Sequence, residues 1–191
     1  MQQQIKNLPD LGFISESKLV AQGDGNSFLY GKQQQQNIKQ LIDIADLQLQ
    51  PFDAVKKQLT LILKSGNEDQ QYWALISLSS FGEKAKLFIP QVKEIFKQST
   101  SVLVKGRAIE FLSHVGTFDP VKLLSELIIN AKHDMEKVEL LNIATFLNES
   151  KAYCFPIPAG YVVPNPKRGN ANFKIDTWLK VRWQYISRKS T

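Results

Sequence analysis

The sequence predicts an all-α fold, an α-solenoid in which helical hairpins stack side by side, and three observations carry this reading. Leu59, Ile62, Leu63 and Lys64 recur 33 positions later as Val92, Ile95, Phe96 and Lys97. Ala74, Leu78 and Gly82 recur 34 positions later as Ala108, Leu112 and Gly116. A two-helix unit repeated at this spacing buries its apolar face only against its neighbours. Within the units, apolar residues fall at spacings of three and four, and proline and glycine stand between the stripes.

The elements follow in order. Residues 1–36 read as an irregular lead, with turn signals at Pro9-Asp10 and Gly23-Asp24-Gly25-Asn26 and a glutamine run at Gln33–Gln36. The Gly-Asp-Gly-Asn segment lacks the Gly-Lys-Ser/Thr ending of a phosphate loop and the spaced acids of a calcium loop, so it reads as a turn. Ile38, Leu41, Ile42, Ala45 and Leu49 form the stripe of a first helix. Pro51 separates it from a second, from Phe52 to Lys64, which ends at Ser65-Gly66-Asn67. Glu68 and Asp69 place negative charge at the start of a third helix, which runs to Phe81 and is capped by Gly82.

Pro90 marks the start of a fourth helix through Val92, Ile95 and Phe96. A fifth carries Val104, Ala108, Phe111, Leu112 and Val115 on one face. Asp119-Pro120 is an N-cap followed by proline at the first helical position, opening a sixth helix through Leu123, Leu124, Leu127 and Ile128. A seventh spans about Met135 to Asn148. Four prolines and Tyr161-Val162-Val163 then predict an extended crossing over residues 151–171. A last helix, from about Phe173 to Arg188, sets Ile175, Trp178, Leu179, Trp183 and Ile186 on one arc, with Arg182 reaching past it to water.

Composition narrows the function classes. With 43% hydrophobic and 22% charged residues the chain is ordinary for a globular protein, and no apolar stretch approaches the roughly 20 residues of a membrane span. The N-terminus lacks the charged start and apolar run of a secretory signal, so we expect a cytoplasmic protein or a piece of a longer exported precursor. The charge of +6 is unevenly placed. Residues 167–191 hold seven Lys or Arg against the single acid Asp176, and positions 1–166 hold 17 of each sign. Any binding of nucleic acid or anionic polysaccharide is therefore expected to rest on this tail, where basic residues interleave with Phe173, Trp178, Trp183 and Tyr185. The competing expectation is a helix whose tryptophans close the end of the array.

Chemistry-bearing residues are sparse. A lone Cys154 excludes an internal disulfide and a multi-cysteine metal site. His114 and His133 are 19 residues apart with no Cys/His/Asp cluster beside them, which points to surface or capping roles. Trp73 reads as an anchor between repeats.

Tyr72-Trp73-Ala74 with Leu78, Gly82 and Ala85, followed by Val104, Arg107, Ala108, Leu112 and Gly116, resembles the HEAT-like repeats at the C-terminal end of some bacterial sulfatases of the arylsulfatase type. The resemblance covers roughly residues 37–150, with Gln71 and Ser99-Thr100-Ser101 departing from the family's pattern. It implies a parent enzyme with a formylglycine made within Cys/Ser-x-Pro-x-Arg and a calcium ion. Cys154-Phe155-Pro156-Ile157-Pro158 imitates that motif, but Pro158 replaces its arginine. No catalytic residue, cofactor or metal ligand of the family carries over to this chain.

The expectation is thus a HEAT-like α-solenoid at 37–150, preceded by the lead at 1–36 and closed by the crossing and basic, aromatic helix of 151–191. It would be non-catalytic, packing on a sulfatase catalytic domain or another protein. A free-standing protein-binding scaffold is the alternative, and anionic-polymer binding through the tail a further one. Trp73, Arg107, Lys174, Trp178, Lys180, Arg182 and Trp183 are the candidate interaction surface.

Overall fold

Stripes of apolar residues at helical spacing cannot bury themselves singly, and in the computed structural model of this chain they do so in pairs. The structure describes residues 35–116, 118–157, 161 and 173–188, with the backbone alone for 35–38, 173 and 174. All regular structure among them is helical. The α-helices are α1 Gln35–Ala45, α2 Phe52–Ser65, α3 Glu68–Ser80, α4 Ile89–Gln98, α5 Val102–Val115, α6 Val121–Asn130, α7 Asp134–Lys151 and α8 Phe173–Ile186. Short 3-10 helices cover Asp46–Leu49 and Gly82–Phe88. The predicted lead, and nearly all of the extended crossing including Val162 and Val163, lie outside the described residues.

Local chemistry sets the boundaries. Asn67 and Gln70 form a capping box at the start of α3, each backbone N–H donating to the other's side chain at 3.0 Å. Asp119 Oδ1 accepts from the Val121 N–H at 2.9 Å just before α6, which begins one residue later than Asp119-Pro120 predicted, with Pro120 rather than Asp119 at its N-cap. Gly82 adopts φ +53°, the left-handed conformation that ends α3. Two details differ from the sequence reading. The first helix tightens into a 3-10 turn after Ala45, and the Gly82–Phe88 turn inserts before α4, burying Ala85 and Phe88.

The helices form two layers. α1, α3, α5, α7 and α8 pack in a row, each on the next. On one side of it α2 packs on α3 and α4, α4 on α5, and α6 on both α5 and α7. Every extensive helix–helix contact joins helices adjacent or next-but-one in the chain. Three of the echoing pairs hold matching places, Leu59 and Val92, Ala74 and Ala108, and Leu78 and Leu112 all being buried, whereas Gly82 is left-handed and Gly116 extended.

The core falls into two clusters that meet at α5. The first runs from Leu41 to Val115 and the second from Ile109 to Ile186. Nine of the fourteen residues of α5 are buried, on all sides, so it is a central helix rather than an amphipathic surface one. Gly106 allows α7 to approach it: a Cβ there would stand 2.5 Å from Leu140 Cδ2 and 3.1 Å from Ile143 Cδ1.

Candidate functional site

The most concentrated chemistry lies on the row, where three successive hairpins each contribute to one polar cluster. Tyr72 comes from α3, Arg107 and Glu110 from α5, and Glu139 from α7. Arg107 and Glu110 are three residues apart, one helical turn, so their side chains meet. Arg107 Nη1 donates to Glu110 Oε2 at 2.6 Å and Nη2 to the Tyr72 hydroxyl at 2.8 Å. The guanidinium also lies 5.0 Å from the centre of the Tyr72 ring. The Tyr72 hydroxyl donates in turn to Glu139 Oε2 at 3.3 Å, and that oxygen stands 3.5 Å from Arg107 Nη2.

The cluster is largely dry. The side chains of Arg107, Glu110 and Glu139 are 16%, 8% and 25% exposed. Burial works against the Arg107 charge, but Glu110 and Tyr72 outweigh it and hold the guanidinium above its usual range. Burial pushes the Tyr72 hydroxyl above the ordinary tyrosine value; Arg107 opposes this and Glu139 adds to it. One cation between two carboxylates leaves a local charge of −1. Arg107 Nε is buried without a partner, so the fork is not fully satisfied. The cluster links α3, α5 and α7.

The other predicted surface residues divide. Trp73 is half-buried, edge-on to Tyr72 with ring centres 5.6 Å apart. Trp183 is 1% exposed, stacked on Tyr161 at 4.8 Å and packed with Leu179 and Ile186 in the second core cluster. Trp178, Lys180 and Arg182 are half-buried on α8, with the Arg182 guanidinium 5.1 Å from the Trp178 ring. The side chain of Lys174 lies outside the described residues. The seven candidates therefore do not form one surface: Arg107 sits in the joint and Trp183 in the core, and α8 covers the outer side of α7.

Cys154 is half-buried, its thiol donating to the Ser187 carbonyl at 3.2 Å, while the Phe155 N–H donates to Ile186 O at 2.9 Å. These bonds tie the segment after α7 to the end of α8. His133 caps α7, its backbone N–H donating to Glu136 Oε2 at 3.2 Å. His114 rests against Phe146, ring centres 5.3 Å apart. Among the described residues no group of three His, Cys, Asp or Glu is placed to hold a metal ion.

A cleft of about 370 Å³ opens between α2 and α4. Its polar walls are already engaged: Gln71 Nε2 donates to Leu63 O, Gln91 Nε2 to Thr60 O, and Thr100 Oγ1 to Glu68 Oε1 at 3.1–3.2 Å. Sequence reasoning made Arg107 a candidate, met Tyr72 only as part of a repeat motif, and missed Glu110 and Glu139. The i,i+3 spacing of Arg107 and Glu110 was the available signal for the first. Nothing local marks Glu139, which the packing of α7 on α5 brings in. No family model, curated protein or solved structure matches this chain.

Proposed function

We propose that this chain is a HEAT-like helical-repeat module without chemistry of its own, which works by docking on a protein domain, as the helices that follow the catalytic domain of sulfatases would. The observation that carries this reading is the meeting of Tyr72 and Arg107. These are the distinguishing residues of two successive repeats, and they bond to each other at 2.8 Å. A bond of this kind ties neighbouring units together, which is what a repeat array requires. Nearest-neighbour packing along the row supports the same reading. Cys154 is consistent with it, its thiol donating to the Ser187 carbonyl at 3.2 Å.

The test has two parts. The purified chain, given a chromogenic aryl sulfate, is expected to show no turnover above background; turnover abolished by Cys154→Ala would overturn the proposal. Co-expression with a hydrolase encoded beside it and carrying Cys/Ser-x-Pro-x-Arg should yield a complex that elutes as one species. A free-standing scaffold would instead leave the two separate.

A further inference from the structure

Charge that is balanced along residues 1–166 is not balanced in space. α3, α5 and α7 together hold seven acids against four Lys or Arg. The opposite holds on the neighbouring layer, where α2, the Gly82–Phe88 turn and α4 hold seven lysines against Asp53, Glu83 and Glu94. Lys86 pairs with Glu83. The other six, Lys56, Lys57, Lys64, Lys84, Lys93 and Lys97, are exposed and have no carboxylate partner among the described residues. α2 packs on α4, with Gln91 of α4 donating to the Thr60 carbonyl of α2 at 3.1 Å, and the Gly82–Phe88 turn packs on α4, so these lysines stand on adjoining elements.

Large aliphatic side chains stand among them. Leu61 is 63% exposed and Leu87 51%. Lys57, Leu61 and Lys64 follow one another by four and three residues and so lie on one stripe of α2, opposite the buried Leu59 and Leu63. Leu87 adjoins Lys86 and stands three residues after Lys84. Leu49, at the end of the turn that leads into α2, is 78% exposed.

This composition chooses among polyanions. The face has no arginine for bidentate phosphate contacts and no exposed aromatic on which bases could stack, since the exposed Phe146 and Tyr185 belong to α7 and α8. Exposed leucines gain nothing against a phosphodiester backbone. Against a bilayer they enter the boundary between headgroups and acyl chains while lysines meet anionic headgroups. No helix among the described residues is long and apolar enough to cross a membrane, so the contact is peripheral.

We infer that the face formed by α2, the Gly82–Phe88 turn and α4 docks on an anionic lipid bilayer, independently of the function proposed above. The test is co-sedimentation of the full chain with phosphatidylcholine vesicles, with and without phosphatidylserine. Binding is expected only to the mixed vesicles and should fall as salt rises. The variant Lys57→Glu/Lys64→Glu/Lys93→Glu/Lys97→Glu should bind at least about a hundredfold more weakly. Leu61→Ser/Leu87→Ser should lose about tenfold with an unchanged salt dependence. Lys180→Ala/Arg182→Ala, on α8, should bind as the parent does. All these side chains are exposed or half-exposed, and unchanged circular dichroism confirms the fold of each variant. The inference is overturned by equal binding to neutral vesicles, by no binding to either, or by loss in the α8 variant instead. Duplex DNA or heparin bound as tightly as the mixed vesicles, with the leucine variant unaffected, would overturn it in favour of a polyanion.

Discussion

The two core clusters solve the same packing problem by different means. The first, from α1 to α5, is built from the repeated part of the sequence: medium aliphatics in matching positions, with Phe52 set between Phe81 and Phe88 at 5.2 and 6.2 Å. The second, from α5 to α8, is built differently. There α8 and the segment after α7 pack on α7, and the fit is made by Trp183, Tyr161 and Phe155. Matching aliphatics suffice where helices pair in like fashion. Where the pairing changes, bulky aromatics fill the less regular space.

The sharpest way to break this arrangement is at the joint. Arg107→Met would leave Glu110 and Glu139 without their cation, and we expect a loss of about 3–5 kcal/mol in urea unfolding. Trp73 and the Trp178/Trp183 pair report on different clusters, so replacing one or the other to isolate a fluorescence signal would show whether their transitions also separate. Gly106→Val places a side chain where Leu140 and Ile143 already stand, and overpacking of this kind costs about 1–3 kcal/mol. That substitution should loosen α7 on α5 more than it disturbs α2 and α3.

Smaller effects sharpen the contrast. Asn67→Ala removes a cap from the first half only, at about 1 kcal/mol in thermal unfolding. The smallest effect at neutral pH is that of tyrosine ionisation. Burial raises the hydroxyls of Tyr72 in one cluster and Tyr161 in the other. A raised value in the folded state means that the neutral form is favoured there. The stability it adds is complete below the ordinary value of about 10 and is lost as pH rises through the folded values. Stability should therefore fall above about pH 10, and Tyr72→Phe should flatten the fall, as read by thermal melts at successive pH values.

Much of the fold was legible because its signals are local. Asp119-Pro120, Pro51 and Gly82 mark helix ends through their own backbone chemistry, and the spacing of Leu59, Ile62 and Leu63 fixes a buried face. The 3-10 run at Gly82–Phe88 was not legible, because Lys84 and Lys86 look like loop residues and only packing buries Ala85 and Phe88 between them. The site was less legible still. Arg107 carries a repeat signature in sequence, yet what it does depends on Tyr72, 35 residues before it, and Glu139, 32 after, which meet only through the helix row. Trp183 reads in sequence as part of a covering helix or, less favoured, of a binding surface, and its burial fits the first. Charge balance along the chain concealed the lysine excess of α2, the Gly82–Phe88 turn and α4, because the acids of α3 and α7 offset it.

The central claim is that stability here runs between neighbours along the row, with the last helix closing it. Hydrogen exchange of Trp183→Ala tests it most directly. The substitution removes a buried ring worth about 3–5 kcal/mol. Protection should fall in α6, α7 and α8 while α2 and α3 keep theirs. An equal loss of protection from α1 to α8 would contradict the account, because it would mean one indivisible core and not an array.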